Sequence, residues 1–266
     1  MLKRILVMLM LCFLFPGAAL CEEELYIEEF VILDDSGEER PDVEAEMQAR
    51  RAENPAREDF IDRIIQLGKE LYEKSGGKAQ RAHYSGDIYV CKNFTVYLFR
   101  KCRDDFRMEA YPDTTLVIPD NLPSAQCRPY SYGIAWKSIE ASEGNPFYEA
   151  ASFRYDKSLS KEENMELAMN FMRQVQRGDF FQMSADYDYG VGAHSAIMIA
   201  DYDAEIDSVH WMDSNMRGKK VDGIRYGIVQ FDEVRSVEWW ASCFCKKGRG
   251  ATLYRLRDDI MYAGTP

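Results

Sequence analysis

The spacing of apolar residues changes along this chain, from a helical period in the front half to short strand-like runs in the back half. After Asn54-Pro55, residues Phe60, Ile61, Ile64, Ile65, Leu67, Leu71 and Tyr72 recur at helical spacing. Asn54 suits an N-cap, Pro55 the first helical position and Gly76-Gly77 a stop, so an amphipathic helix of about five turns is expected. The segment DIYVCKNFTVYLFRKC reads two ways. As a strand, Ile88, Val90, Phe94, Val96 and Leu98 share a face that Lys92 interrupts. As a helix, Val90, Phe94, Tyr97 and Leu98 line one side, and Lys101 and Arg103 sit where the dipole favours cations. Its length of about fifteen residues favours the helix.

Ser160-Lys161-Glu162-Glu163 forms a capping box that opens a helix through Met165, Met169, Met172 and Val175, ending before Gly178. The methionines are read as core filler. Beyond Asp179 the pattern is strand-rich: FFQM, HSAIMIA, SVHWMD, YGIVQF, VEWWASCF and LYRL. Helices followed by an antiparallel sheet make the fold class α+β. Residues 111–158 hold five of the nine prolines with little periodicity and read as an insertion or as long loops shaping one side of a site.

The first 21 residues read as a signal peptide. Lys3 and Arg4 precede eleven apolar residues, Ile5 to Phe15, and then the small residues Gly17, Ala18 and Ala19. That stretch is short of the roughly 20 residues needed to span a bilayer, so no stable membrane insertion is expected once it is removed. The chain is therefore expected to be secreted, extracellular or cell-wall associated. Losing Lys3 and Arg4 moves the net charge from -12 to -14 (31 basic against 45 acidic residues), which argues against nucleic acid as a partner. The acidic residues cluster in 22–53, read as a solvated arm with a short apolar run from Leu25 to Leu33, and 54–266 reads as the main domain.

Cys12 leaves with the signal, and so does Cys21 if cleavage follows it. Cys91, Cys102, Cys127, Cys243 and Cys245 then remain, an odd number that leaves at least one free thiol; cleavage after Ala19 would leave six. Cys243 and Cys245 share a face if VEWWASCF is a strand and cannot easily bond each other, so Cys102 and Cys127 are candidate disulfide partners for them. There is no Cys-x-x-Cys pair and the three histidines are scattered, so neither a metal nor an organic cofactor is implied.

Cys91 lies near the start of the second helix, where unpaired N–H groups favour a thiolate. Folding His194–Asp213 into a hairpin with its turn at Asp203-Ala204 puts Asp213 directly opposite His194 on the same face. A histidine held by a carboxylate, with a cysteine elsewhere, is the residue set of nucleophilic amide chemistry. Asn215 has the same parity and could orient the ring instead. His210 has the opposite parity and should point away. His83 could line a cleft, and Asn93-Phe94-Thr95 matches a glycosylation acceptor only formally.

RGDFFQM (Arg177–Met183), HSAIMIADYD from His194 and VHWMDSN (Val209–Asn215) resemble the C-terminal half of papain-like bacterial cell-wall amidases, the CHAP and NlpC-type cysteine peptidases. The resemblance implies N-terminal helices packed on an antiparallel sheet, Cys91 as nucleophile, His194 as base and Asp213 or Asn215 as the orienting group. It also implies a peptide or peptidoglycan stem-peptide substrate. The chain departs from the family in Val90-Cys91-Lys92, where the family has Asp-Cys-Ser or a close variant, and Tyr84 is the one candidate for the upstream oxyanion side chain. The same residue types also run transglutaminase chemistry, and an oxidised Cys91 would fit a non-catalytic binding domain.

Overall fold

The computed structural model describes residues 41–76, 80–82, 91–118, 142–183, 194–221 and 224–264. The leader, the Leu25–Leu33 run, His83, Tyr84 and Cys127 lie outside the described residues. Helix α2 (Pro55–Ser75) starts and stops on the signals its sequence carries. Asn54 Oδ1 accepts from Arg57 N at 2.8 Å, and Gly76 takes the left-handed conformation (φ 59°) with its N–H on the Tyr72 and Glu73 carbonyls. Before it runs α1 (Pro41–Glu53), so the acidic arm is helical over its last part. None of its described side chains is buried. Ion pairs hold it to the body instead: Arg50 with Asp201, and Arg51 with Asp62.

Helix α3 (Cys91–Cys102) settles the ambiguous segment as a helix that buries Phe94, Leu98 and Phe99. Seven strands form the main sheet in the order β1-β8-β7-β6-β5-β9-β4, with every neighbouring pair antiparallel. They are β1 (Gln80–Ala82), β4 (Phe147–Arg154), β5 (Phe180–Met183), β6 (His194–Met198), β7 (Ser208–Val221), β8 (Ile224–Ser236) and β9 (Gly250–Leu256). A separate three-stranded sheet joins β10 (Ile260–Tyr262), β2 (Phe106–Met108) and β3 (Tyr111–Thr115). The protein is α+β, as its pattern predicts.

Two departures matter. The 111–158 segment is not all loop: β3 joins the small sheet, and β4 is a full edge strand paired with β9. VEWWASCF is the helix α5 (Val237–Phe244), not a strand, because Ser236 caps it by accepting from Trp239 N. Cys243 therefore lies in a helix and Cys245 at its C-cap, and the shared strand face expected for them does not exist.

Helices cover both faces of the sheet, which explains why its strands are apolar on both sides. Phe180 packs with α2 and α3 through Phe60, Phe94 and Phe99, whereas its neighbour Phe181 packs with α5 and α4 (Lys161–Met172) through Trp240, Phe244 and Phe171. The capping box forms as the sequence predicts, with Ser160 and Glu163 bonded reciprocally. Met172 is fully buried, and Met165 and Met169 pack at the margin of the second core. Burying each large apolar side chain contributes about 1.5–3 kcal/mol, so the two aromatic-rich cores fix where the strand ends lie.

Candidate active site

Cys91 is the first residue of α3, where backbone N–H groups have no partner within the helix. The Lys92 and Ser195 N–H groups donate to its sulfur, and its side chain hydrogen-bonds His194. Helix α3 packs on the sheet through the core that also contains Ile197 and Met212. His194 opens β6 with the parity of Ala196 and Met198, which face the other core. The thiol and the imidazole thus come from opposite layers and meet at the end of strand β6.

His194 Nε2 lies 2.7 Å from Asp213 Oδ2, leaving Nδ1 as the ring nitrogen for the thiol. Their side chains are 14% and 4% exposed, so both groups are largely shielded from solvent. The Trp240 indole stacks on the imidazole at 6.4 Å and 25°. Reading the α5 segment as a strand hid this residue. An aromatic side chain directly preceding an alanine and a serine gave no other sequence cue.

Asp213 reaches the ring by a different register from the one expected. Strand β6 pairs with β7 as Ile197 with Met212 and Met198 with Trp211. Continued, that register sets Ala196 opposite Asp213 and Asn215 opposite His194, two residues from the direct pairing anticipated. The tight turn is also displaced: the connection runs from Ile199 to Asp207, with Asp203 bridged to Ser208. A shift of two residues preserves the face of every side chain, so the His194–Asp213 contact survives the change. Asn215 makes no hydrogen bond to the ring.

Burial opposes the Cys91 thiolate, yet the hydrogen bond and charge of His194, with the Ser195 and Lys92 N–H groups, lower the thiol below its usual range. Burial likewise opposes the His194 imidazolium, but Asp213 and Cys91 raise it to about 10. Both shifts favour the same state, a thiolate–imidazolium pair. The other described cysteines behave oppositely. Burial pushes Cys102 up to about 11 and also raises Cys243 and Cys245. All four are free thiols, so no disulfide joins Cys102, Cys243 and Cys245 among the described residues.

His210 points away from this cluster, as its parity requires, with Nδ1 2.8 Å from Asp232 Oδ1. Asn93 is buried within α3, a poor position for a glycan. Among the described residues no group of three or more His, Cys, Asp or Glu side chains is placed to hold a metal ion, and no helix is long and apolar enough to cross a membrane. No protein-family model, curated protein or solved structure matches the chain.

Proposed function

We propose that this chain is a papain-like cysteine hydrolase that cleaves amide bonds with Cys91, His194 and Asp213. The observation that carries the reading is that one imidazole bonds both a lowered thiol and a buried carboxylate. The Cys91 thiolate attacks the amide carbonyl carbon, and the carbon–oxygen π pair moves to oxygen. The oxyanion lies at the head of α3, where the Cys91 N–H can receive it. As the intermediate collapses, the imidazolium passes its proton to the leaving amine, giving an acyl-enzyme thioester and a neutral imidazole. The imidazole then takes a proton from water, hydroxide oxygen attacks the thioester, and the carboxylic acid leaves as the thiolate reforms. Asp213 holds the ring by Nε2 and keeps Nδ1 directed at the sulfur.

A peptide cross-bridge or stem peptide of peptidoglycan is the substrate class favoured by the RGDFFQM, HSAIMIADYD and VHWMDSN resemblance. A signal-peptide-like leader, a net negative charge and a free Cys91 thiol fit that role. The test is incubation of purified protein with isolated sacculi, counting newly exposed amino groups and released fragments by mass spectrometry. Cys91→Ala and His194→Ala should each reduce release by about 10⁴-fold or more while remaining folded. Release at the parental rate by either variant overturns the mechanism. A labelled amine added in parallel identifies the acceptor, since its incorporation in place of hydrolysis would make the reaction acyl transfer to an amine.

A further inference from the structure

Beneath the head of α3 the sheet carries buried polar residues where its neighbours are apolar. Gln182 and Ser195 are paired across β5 and β6, and both are completely buried. They share a face with Phe180 and Ile197, which pack against α3. A buried amide is costly unless its polar atoms find partners, and Gln182 places each of its own beside His194. Its Oε1 accepts from Ser195 Oγ at 2.7 Å, and its Nε2 donates to the His194 carbonyl at 3.0 Å and the Met183 carbonyl at 2.9 Å.

These contacts fall at the last ladder pair of β5 and β6, Met183 with His194. A strand end normally frays, and this one carries two groups that contact the nucleophile, the His194 ring and the Ser195 N–H. A purely structural amide would serve the core as well anywhere along the ladder. Gln182 instead ties down the backbone of the two residues on which the Cys91 thiolate depends.

We propose that Gln182, acting through Ser195, is a positioning residue that holds the His194–Ser195 backbone against Cys91 and so maintains the thiolate–imidazolium pair. This rests on the reading of Cys91 and His194 as a nucleophile and base pair. Without the amide bridge, the end of β6 relaxes, the Ser195 N–H and the imidazole draw back from the sulfur, and burial is left to raise the thiol.

The test measures the pH dependence of iodoacetamide alkylation of Cys91 in the full chain, read on the Cys91 peptide by mass spectrometry so that other thiols do not contribute. Gln182→Met keeps the volume and removes the hydrogen bonds. Ser195→Ala removes one hydroxyl and decides the matter if the first variant does not fold. The expected result is an acid limb displaced upward by about one pH unit, giving roughly tenfold slower alkylation on its steep part. His194→Ala is the reference. If its limb coincides with the parental one, the thiol–imidazole reading falls and the positioning role with it. If the limb moves in His194→Ala but in neither folded Gln182→Met nor Ser195→Ala, the positioning role alone is overturned.

Discussion

Asp213 grips His194 from a diagonal position on the neighbouring strand: Oδ2 is 2.7 Å from Nε2, although Asn215 is the residue that continued register sets directly opposite the ring. Diagonal partners in an antiparallel pair are about 7–8 Å apart at the backbone, within reach of an aspartate and a histidine leaning toward each other. The shorter cross-strand route belongs to an amide that does not use it. Charge is therefore expected to matter more than proximity. Asp213→Asn should lower kcat by about 10³- to 10⁴-fold, as loss of the orienting carboxylate does in related triads. Asn215→Ala should cost only a few-fold. Steady-state kinetics on a cleavable peptide checks both, and equal losses in the two variants would refute the assignment.

The pH behaviour follows from the two shifts. The thiol is lowered, so thiolate is present above that reduced value; the imidazolium is raised, so its proton is retained up to about 10. The reactive pair exists between these limits, and hydrolysis should follow a broad bell with its basic limb displaced above the ordinary histidine range. In His194→Ala the burial contribution, the largest acting on Cys91, is opposed only by the Ser195 and Lys92 N–H groups. The acid limb of thiolate formation should then move up from its position in the parental protein. The pH dependence of Cys91 alkylation in both proteins, read on the Cys91 peptide, measures it. An unchanged limb would show that His194 does not act on the sulfur.

Support for the sheet comes from a buried charge pair on the same run of sequence. Asp179 is wholly buried and receives Arg255 through Nε and Nη2, both at 2.7 Å. Burial pushes its carboxyl up even with the guanidinium in place, so the pair offsets a cost more than it adds stability. Arg255→Met alone should destabilise the fold by about 3–5 kcal/mol, because it leaves a buried carboxylate without its paired cation. Adding Asp179→Leu should recover most of that loss. Urea unfolding of the two single variants and the double variant measures the coupling. Additive losses would show that the pair is not acting as one unit.

Where a local rule decided the outcome, the sequence was enough. Asn54-Pro55 and Gly76 bound α2, Ser160 and Glu163 cap α4, and parity alone puts His194 and Asp213 on one face and sends His210 away. What was hidden depended on tertiary context. VEWWASCF has the β-branched and aromatic composition of a strand, yet the Ser236 cap and packing against α4 make it helical and bring Trp240 over the imidazole. The hairpin register could not be fixed because the Ile199–Asp207 connection is longer than a tight turn, while the face was insensitive to a shift of two. Gln182 was visible as a polar residue inside an apolar strand, but only its three partners reveal its bearing on His194.

Gly178 gives the sharpest stability test of the layering. It has φ 87°, its N–H donates to the Met198 carbonyl at 2.8 Å, and Met198 N–H donates back to Asp179 at 2.8 Å, closing the turn that delivers β5 to β6. A methyl group here would lie 2.7 Å from both Cδ1 and Cγ1 of Ile61, itself buried in α2. Two penalties therefore combine in Gly178→Ala: about 1–2 kcal/mol for the left-handed backbone and about 1–3 kcal/mol for overpacking against Ile61. Gly178→Ala/Ile61→Val removes one of the two Ile61 atoms nearest the new methyl and should recover part of the second penalty while leaving the first. Because the turn sits at the far end of β6 from His194, the Cys91 alkylation profile of the folded variant should match the parental one. Urea midpoints for the single and double variants separate the two contributions, and an unchanged midpoint in Gly178→Ala would mean that α2 does not press on this turn.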